Sequence, residues 1–453
     1  MNLSPAPQRP PSGGVLLVTL FIMAAIGIVL MAALNLIQGQ NQAVSRSQAW
    51  NACIPAIEAG VEEALAHLND QASSSLAANG WIQDGPVYLL QRSTGNDSFF
   101  RVALVMTNPA APIILSTGYV RLAALVAQAR EPLLAAATPS AKGEQYINRA
   151  VRVLVEQQML FVKAMVARDR IEMNGNNISV DSYDSSNPLY STPQGTYDPA
   201  KARDNGDVST IAGVRNAISV GNADIKGRVS TGPGGTVAIG PNGSVGSKAW
   251  VDGGRSGIQP GWFRDDMNVD MRNIERPSSA GSLGTPAPGT VNGIAYGHVV
   301  DSGKYVMSSI NLSRGEKMCI RGGATLIVDG PAVISGGLDI LPGASLTLYV
   351  RGPNLDIGGI GVNNTQRSTN CVIFGLPTLT SVTLPSSGDF NGALYAPNAD
   401  LRMTGGGSGA VNWCGACVTR TVTVTGHQKF HYDEGLRTFG PPGRLVVTSW
   451  LEL

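Results

Sequence analysis

The strongest pattern along the chain is an apolar run, Val15 to Leu34, in which Thr19 is the one polar residue. Wound as a helix at about 1.5 Å per residue, twenty such residues span about 30 Å, the thickness of a bilayer's hydrocarbon core. A secretory signal has a shorter apolar region followed by a small-residue cleavage site. Here the chain continues through Asn35-Leu-Ile-Gln-Gly-Gln-Asn-Gln42, and the run predicts a membrane anchor. Helical spacing then resumes, with Ile54, Ile57, Val61, Ala64, Leu65 and Leu68 on one face and Glu58, Glu62 and Glu63 on others. Pro55 predicts a kink in this second stretch.

Beyond Trp81 the period changes. Phe99 to Met106, Ile113 to Leu115 and Ala150 to Val155 predict short strands, whereas Val120 to Ala136 and Met159 to Val166 carry helical character. From Ile178 onward helical signals almost vanish. Ile218, Val220, Ala223, Ile225 and Val229 nearly alternate, and between Ala324 and Ile360 strands of four to seven residues follow one another, each ended by glycine or proline. Short strands at near-constant spacing with small residues between them predict a coiled solenoid, in which each rung bonds to the next and inward Ile, Leu and Val stack into one core. The favoured form is a right-handed parallel β-helix, with a β-sandwich as the alternative. Arg276 to Asn292, rich in Pro, Ser and Gly, predicts an exposed loop or linker.

Composition sharpens this division. Of 55 glycines only ten lie at or before Arg170. A chain of 453 residues predicts two or three domains. A net charge of +1, with 14% charged residues, gives no electrostatic case for nucleic acid as a partner. The five cysteines (Cys53, Cys319, Cys371, Cys414, Cys417) are scattered. Cys414 and Cys417 have the C-x-x-C spacing but no second pair for zinc, and β-type residues follow, so a structural or disulfide role is expected of them and Cys53 is expected to stay unpaired.

Candidate chemistry is sparse. Asp265, Asp266 and Asp270 form the best carboxylate cluster for a glycoside hydrolase, but adjacent strand residues point to opposite faces. His427 and His431 lie four apart without partner carboxylates, and a hydrogen-bonded rung is the expectation for them. Asp181 and Asp184, in Asp181-Ser-Tyr-Asp-Ser-Ser-Asn187, offer oxygens at calcium-like spacing, but the glycine and terminal glutamate of an EF-hand loop are missing, so Asx and Ser turns are expected. No catalytic residue, metal site or cofactor is assigned, and the chain is expected not to be an enzyme. A membrane-tethered carbohydrate-active enzyme and a plain surface-binding module remain the alternatives.

A polar leader ending in Ser12-Gly-Gly14, then Val15-Leu-Leu-Val-Thr-Leu20, the long apolar helix and Ile57-Glu-Ala-Gly-Val-Glu-Glu-Ala-Leu65 resembles the start of PilX-type minor pilins. The resemblance implies cleavage by a prepilin peptidase after Gly14, leaving Val15 as the new terminus, and other pilin-like subunits as partners through helix packing. Ala24, Ala25, Gly27, Ala32 and Ala33 suit close helix approach. Major pilins carry glutamate where this chain has Thr19, which implies a tip or accessory position in a type IV pilus or a secretion pseudopilus. Near the end, Phe390-Asn-Gly-Ala-Leu-Tyr-Ala-Pro-Asn-Ala-Asp400 and Thr425-Gly-His-Gln-Lys-Phe-His-Tyr-Asp-Glu434 resemble a C-terminal domain of uncharacterised function found on such envelope proteins; Asn398 and Gly426 are expected at turns, and Tyr395 and Phe430 at stacked positions.

The expected architecture is therefore α+β overall: a leader over 1–14, a transmembrane and stalk helix over 15–70, a small pilin-like α+β region over 71–172, a glycine-rich β-solenoid over 173–440 and a tail over 441–453. The expected setting is a single-pass envelope protein with its bulk outside the cytoplasm, serving assembly, adhesion or secretion, with a surface polysaccharide as a further candidate partner.

Overall fold

The computed structural model describes residues 13–69, 76–95, 97–109, 111–122, 146–175, 177–384, 388–405, 409–440 and 444–453. Most of the leader, and nearly all of the helical character expected between Val120 and Ala136, lie outside them. The chain divides into two units, residues 1–158 with 444–453, and residues 159–443.

The first unit begins with one continuous helix, α1 (Gly13–Asn69), which holds Pro55 in its interior. Its second half turns Ala49, Cys53, Ala56, Ile57, Val61 and Ala64 inward at three- and four-residue spacing. They pack on an antiparallel sheet made of β1 (Ile82–Asp84), β2 (Val87–Ser93), β3 (Ser98–Val105), β4 (Ile113–Arg121), β5 (Tyr146–Gln157) and the strand Leu445–Glu452. Phe100, Val102, Leu104, Ile114, Val151, Val153 and Val155 face the helix in the alternating pattern of a sheet wet on one side. Two glycines allow the approach. A Cβ on Gly118 of β4 would lie 2.5 Å from the Cys53 carbonyl oxygen, and one on Gly60 would lie 2.5 Å from Ser116 Oγ. The Ser116 hydroxyl donates to the Ile57 carbonyl at 2.9 Å, and Trp81 Nε1 bonds to His67 Nδ1 at 3.0 Å.

The residues expected to form a tail thus supply the sixth strand of this sheet. Leu445–Glu452 pairs with β5 from Leu445↔Gln157 to Glu452↔Val151, with a register shift between Val447 and Ser449. Leu445-Val-Val-Thr-Ser-Trp-Leu451 is β-prone by composition.

The second unit is a stack of short parallel strands joined into three ladders. One ladder runs from Gly303–Met307 through Gly323–Val328, Ser345–Val350, Cys371–Gly375, Phe390–Thr404 and Val411–Thr425. It does not end there. Cys417 pairs with Met165, Met165 with Val208, and Val208 with Val229. The second ladder behaves alike, with Val422↔Ile171 and Ile171↔Ile218, and so does the third, with Trp413↔Phe430, Phe430↔Val180 and Val180↔Ile225. Parallel pairing throughout the ladders departs from the antiparallel neighbours of the sandwich alternative.

The order of rungs along the stack is therefore not the order of the chain. The chain joins the stack at its middle, in a first rung at Met165–Tyr183, and winds to one end at Phe263–Arg264. It then crosses to the opposite end and winds back until its last rung, Cys417–Asp433, lies on the first.

The crossing is made by residues 265–297, which include the segment expected to be an exposed linker. Met267, Met271 and Ile274 belong to the stack's apolar core. The Arg276 guanidinium donates to both oxygens of Asp329 at 2.8 and 2.7 Å, Tyr395 donates to the Arg272 carbonyl at 2.8 Å, and the Leu283 amide donates to the Lys304 carbonyl at 2.8 Å. Gly289–Val291 and Ile294–Tyr296 form a hairpin. Through Tyr395 the strap is tied to a column in register along the ladder, Phe374, Tyr395, Val418 and Val166, all buried.

Met159 to Val166, expected as a helix, instead leads into the strand Met165–Ala167. Leu160, Phe161, Ala164 and Met165 are buried there, and a short apolar run has no period that separates strand from buried helix. The stacked unit consequently starts at Met159, ahead of the expected boundary at 173.

Candidate functional site: the exposed apolar helix and the buried polar cluster

The first half of α1 lies apart from any core. Fifteen large apolar side chains from Leu16 to Ile37 are each at least 50% exposed. Burial of one such side chain is worth about 1.5–3 kcal/mol, so exposing all fifteen to water costs tens of kcal/mol. The helix is long and apolar enough to cross a membrane. Gly14 and Val15, the expected processing pair, lie in the first turn of α1, which starts at Gly13. The Thr19 hydroxyl donates to the Leu16 carbonyl at 2.9 Å, satisfied within its own helix.

In the stacked unit the expected catalytic and metal candidates separate. Asp265, Asp266 and Asp270 are exposed, and Asp266 pairs with Arg264 at 3.0 Å. His427 bonds to Asn177 at 3.2 Å, whereas His431 is buried on another network. Asp184 Oδ1 accepts from the Ser186 amide and Asn187 Oδ1 from the Leu189 amide, the expected Asx turns. No cluster of three or more His, Cys, Asp or Glu suited to a metal occurs among the described residues.

All five cysteines are free, so the Cys414–Cys417 disulfide is not formed. Both residues lie on the strand Val411–Thr425, and three-residue spacing on a strand turns them to opposite sides. Burial, then the carboxylates of Asp389, Asp433 and Asp181, push the Cys414 thiol up, and burial raises Cys371 to about 12. Both are held as inert thiols.

The sequence did not reveal the most elaborate cluster, which joins the first and last rungs. Asp181, Ser182 and Ser185 come from the first rung and the excursion after it, and His431, Asp433 and Glu434 from the end of the last. His431 Nδ1 lies 2.6 Å from Asp181 Oδ1, and Tyr197 donates to Asp181 Oδ2 at 2.7 Å. The Tyr197 ring stacks on the imidazole with centroids 3.7 Å apart. Burial and the Asp181 charge push the Tyr197 phenol up, keeping it a donor. His431 Nε2 faces Asn412 Oδ1 at 3.2 Å, while the Asn412 side-chain and backbone N–H groups donate to Asp389 at 3.1 and 2.8 Å.

Glu434 accepts from Ser182 Oγ and Asn205 Nδ2, each at 2.8 Å, and from Arg203 at 2.9 Å. Asp433 Oδ1 accepts from the Ser185 and Gly435 amides, both at 3.0 Å, and burial raises its carboxyl. Beside this cluster runs an inward aromatic column, Phe390, Trp413 and Phe430, with centroids 5.3 and 4.8 Å apart. Phe430 is thus stacked as expected, Gly426 turns with φ +81°, and Asn398 lies at a register shift between Ala396 and Asp400.

Residues 275–439 match a family described as a domain of unknown function (DUF7305). No curated protein matches the chain. Among solved structures, the chain is similar to the competence-associated pilin ComZ from Thermus thermophilus at 11% identity and a TM-score of 0.29, over 88% of this chain and 96% of that one. It is also similar to the ice-binding protein_1 DUF3494 domain of Shewanella frigidimarina at 13% identity and a TM-score of 0.21, over 60% of this chain and 94% of that one. Scores this low do not carry a fold assignment.

Proposed function

We propose that this chain is a structural envelope protein, a minor pilin-like or pseudopilin-like subunit. It is processed between Gly14 and Val15, held in the membrane through α1, and displays outside the cytoplasm a right-handed parallel β-helix formed by the three ladders. The observation that carries this reading is the helix itself: its outer half is an almost wholly apolar surface from Leu16 to Ile37, broken by Thr19 and Asn35, and its inner half is clamped to a small antiparallel sheet. Such a helix serves as an anchor while its body is tethered, and as a packing rod when drawn beside other helices of its kind. Thr19 leaves it without a buried carboxylate to pair with a neighbour's amino group, which favours an accessory position over a bulk filament subunit.

The displayed body is read as a binding or assembly surface rather than an enzyme. The carboxylates named for hydrolysis are exposed on the surface, and the buried His431–Asp181 pair is spent on Tyr197 and Asn412. The test is the mass of the mature protein from cells that carry a prepilin peptidase. A mass beginning at Val15 is expected, with loss of processing in Gly14→Ala. Retention of Met1 refutes the pilin-like reading and leaves only the anchor.

A further inference from the structure

Among the described residues of the stacked unit, every ladder contact but one set joins rungs that are neighbours in the chain, about one turn apart. The exception is the seam where Cys417, Val422 and Phe430 of the last rung lie on Met165, Ile171 and Val180 of the first. Closing it brings together residues some 250 positions apart, such as Asp181 and His431, and so loses more chain entropy than adding a rung locally. The polar cluster is placed on this seam. His431, Asp433 and Glu434 on the late side engage Asp181, Ser185, Ser182, Arg203 and Asn205 on the early side. At another ladder Arg168 of the early side donates to Asn398 of the late side at 2.8 Å and to the Met271 carbonyl of the strap at 3.1 Å.

We propose that this seam is a conformational joint, at which the two parts of the stack dock last and part first, and that the Asp181–His431 and Arg203–Glu434 pairs are its latch. A buried polar network rewards one register only, because a shift by a rung would leave its carboxylates unpartnered. The latch thereby directs the last rung onto the first and away from the open ends of either part. The stack closes only when the chain through Glu434 is present. This inference rests on the ladder register and not on the pilin-like reading, so either can fail alone.

Hydrogen exchange read by mass spectrometry on the full-length chain in detergent tests it. In His431→Gln, exchange in Met165–Tyr183 and Cys417–Asp433 is expected to rise at least tenfold together, while Gly303–Val350 and Ile218–Gly246 stay within twofold of the wild type. A uniform rise along the stack, or none at the seam, overturns the proposal. Should His431→Gln fail to fold, Arg203→Ala removes the partly exposed half of the latch and is held to the same two outcomes.

Discussion

Gly118→Ala tests how the helix is held to the sheet. The added methyl would lie 2.5 Å from the Cys53 carbonyl oxygen and 3.1 Å from both Ala56 Cβ and Ile57 Cγ1. The nearest atom is backbone, so no rotamer change relieves the clash, and α1 must lift from β4. Overpacking of this kind costs about 1–3 kcal/mol, and a backbone obstacle places Gly118 toward the upper end. Gly60→Ala is the control. Its methyl would meet the Ser116 hydroxyl at 2.5 Å and Phe100 Cδ2 at 3.0 Å, both side-chain atoms, and alanine gains about 1 kcal/mol in helix propensity. Those effects nearly cancel.

The expected result is a loss of about 2–3 kcal/mol for Gly118→Ala against less than about 1 kcal/mol for Gly60→Ala. In a unit of this size that lowers the melting temperature by several degrees in the first case only. Thermal melts in detergent, with hydrogen exchange of Ser98–Val105 and Ile113–Arg121 to localise the effect, provide the measurement. Equal losses in the two variants, or no loss in Gly118→Ala, would refute the claim that close backbone approach holds the helix.

Trp413→Ala removes the centre of the aromatic column and strands the Gly392 carbonyl that Trp413 Nε1 binds at 2.9 Å; a loss of about 3–5 kcal/mol is expected in urea unfolding of the stacked unit. Arg276→Ala breaks a half-exposed bidentate pair with Asp329 and is expected to cost about 1 kcal/mol or less, with new protease cleavage between residues 265 and 288 as its signature. Asp433→Asn keeps an oxygen for the Ser185 and Gly435 amides. Because burial raises the folded-state carboxyl above its unfolded value, Asp433 favours folding only while protonated and loses that contribution as pH rises through the raised value. The variant is therefore expected to be more stable than wild type at pH 7 and to lose the advantage near pH 3, as measured by denaturant midpoints across pH.

What the sequence revealed, it revealed through local periodicity. The apolar run, the face of Ile57, Val61 and Ala64, and the strands around Leu326 and Leu348 each carry their pattern within a few residues. Features fixed by long-range pairing left no such trace. The permuted rung order depends on Cys417 meeting Met165, and parallel rungs of similar Val and Ile content carry no mark of which neighbour they will take. The strap from Met267 to Leu283 has a polar composition that hides three buried residues, Met267, Met271 and Ile274. The cluster around His431 was seen only in part, because its carboxylate partner Asp181 lies far away in the chain. Strand parity, applied to Asp265 and Asp266, would also have excluded the Cys414–Cys417 bond.

The pairing of Leu445–Glu452 with β5 bears on when the first unit can be completed. The two units are joined by the chain at 158–159 and again near Arg444, and both crossings leave the same end of that pair, where Leu445 meets Gln157. The sheet is thus discontinuous in sequence, with five strands supplied before residue 158 and the sixth only after residue 443. Its outer edge stays open until the chain has been made through the whole of the stacked unit, so the earliest part of the protein is also among the last to be completed.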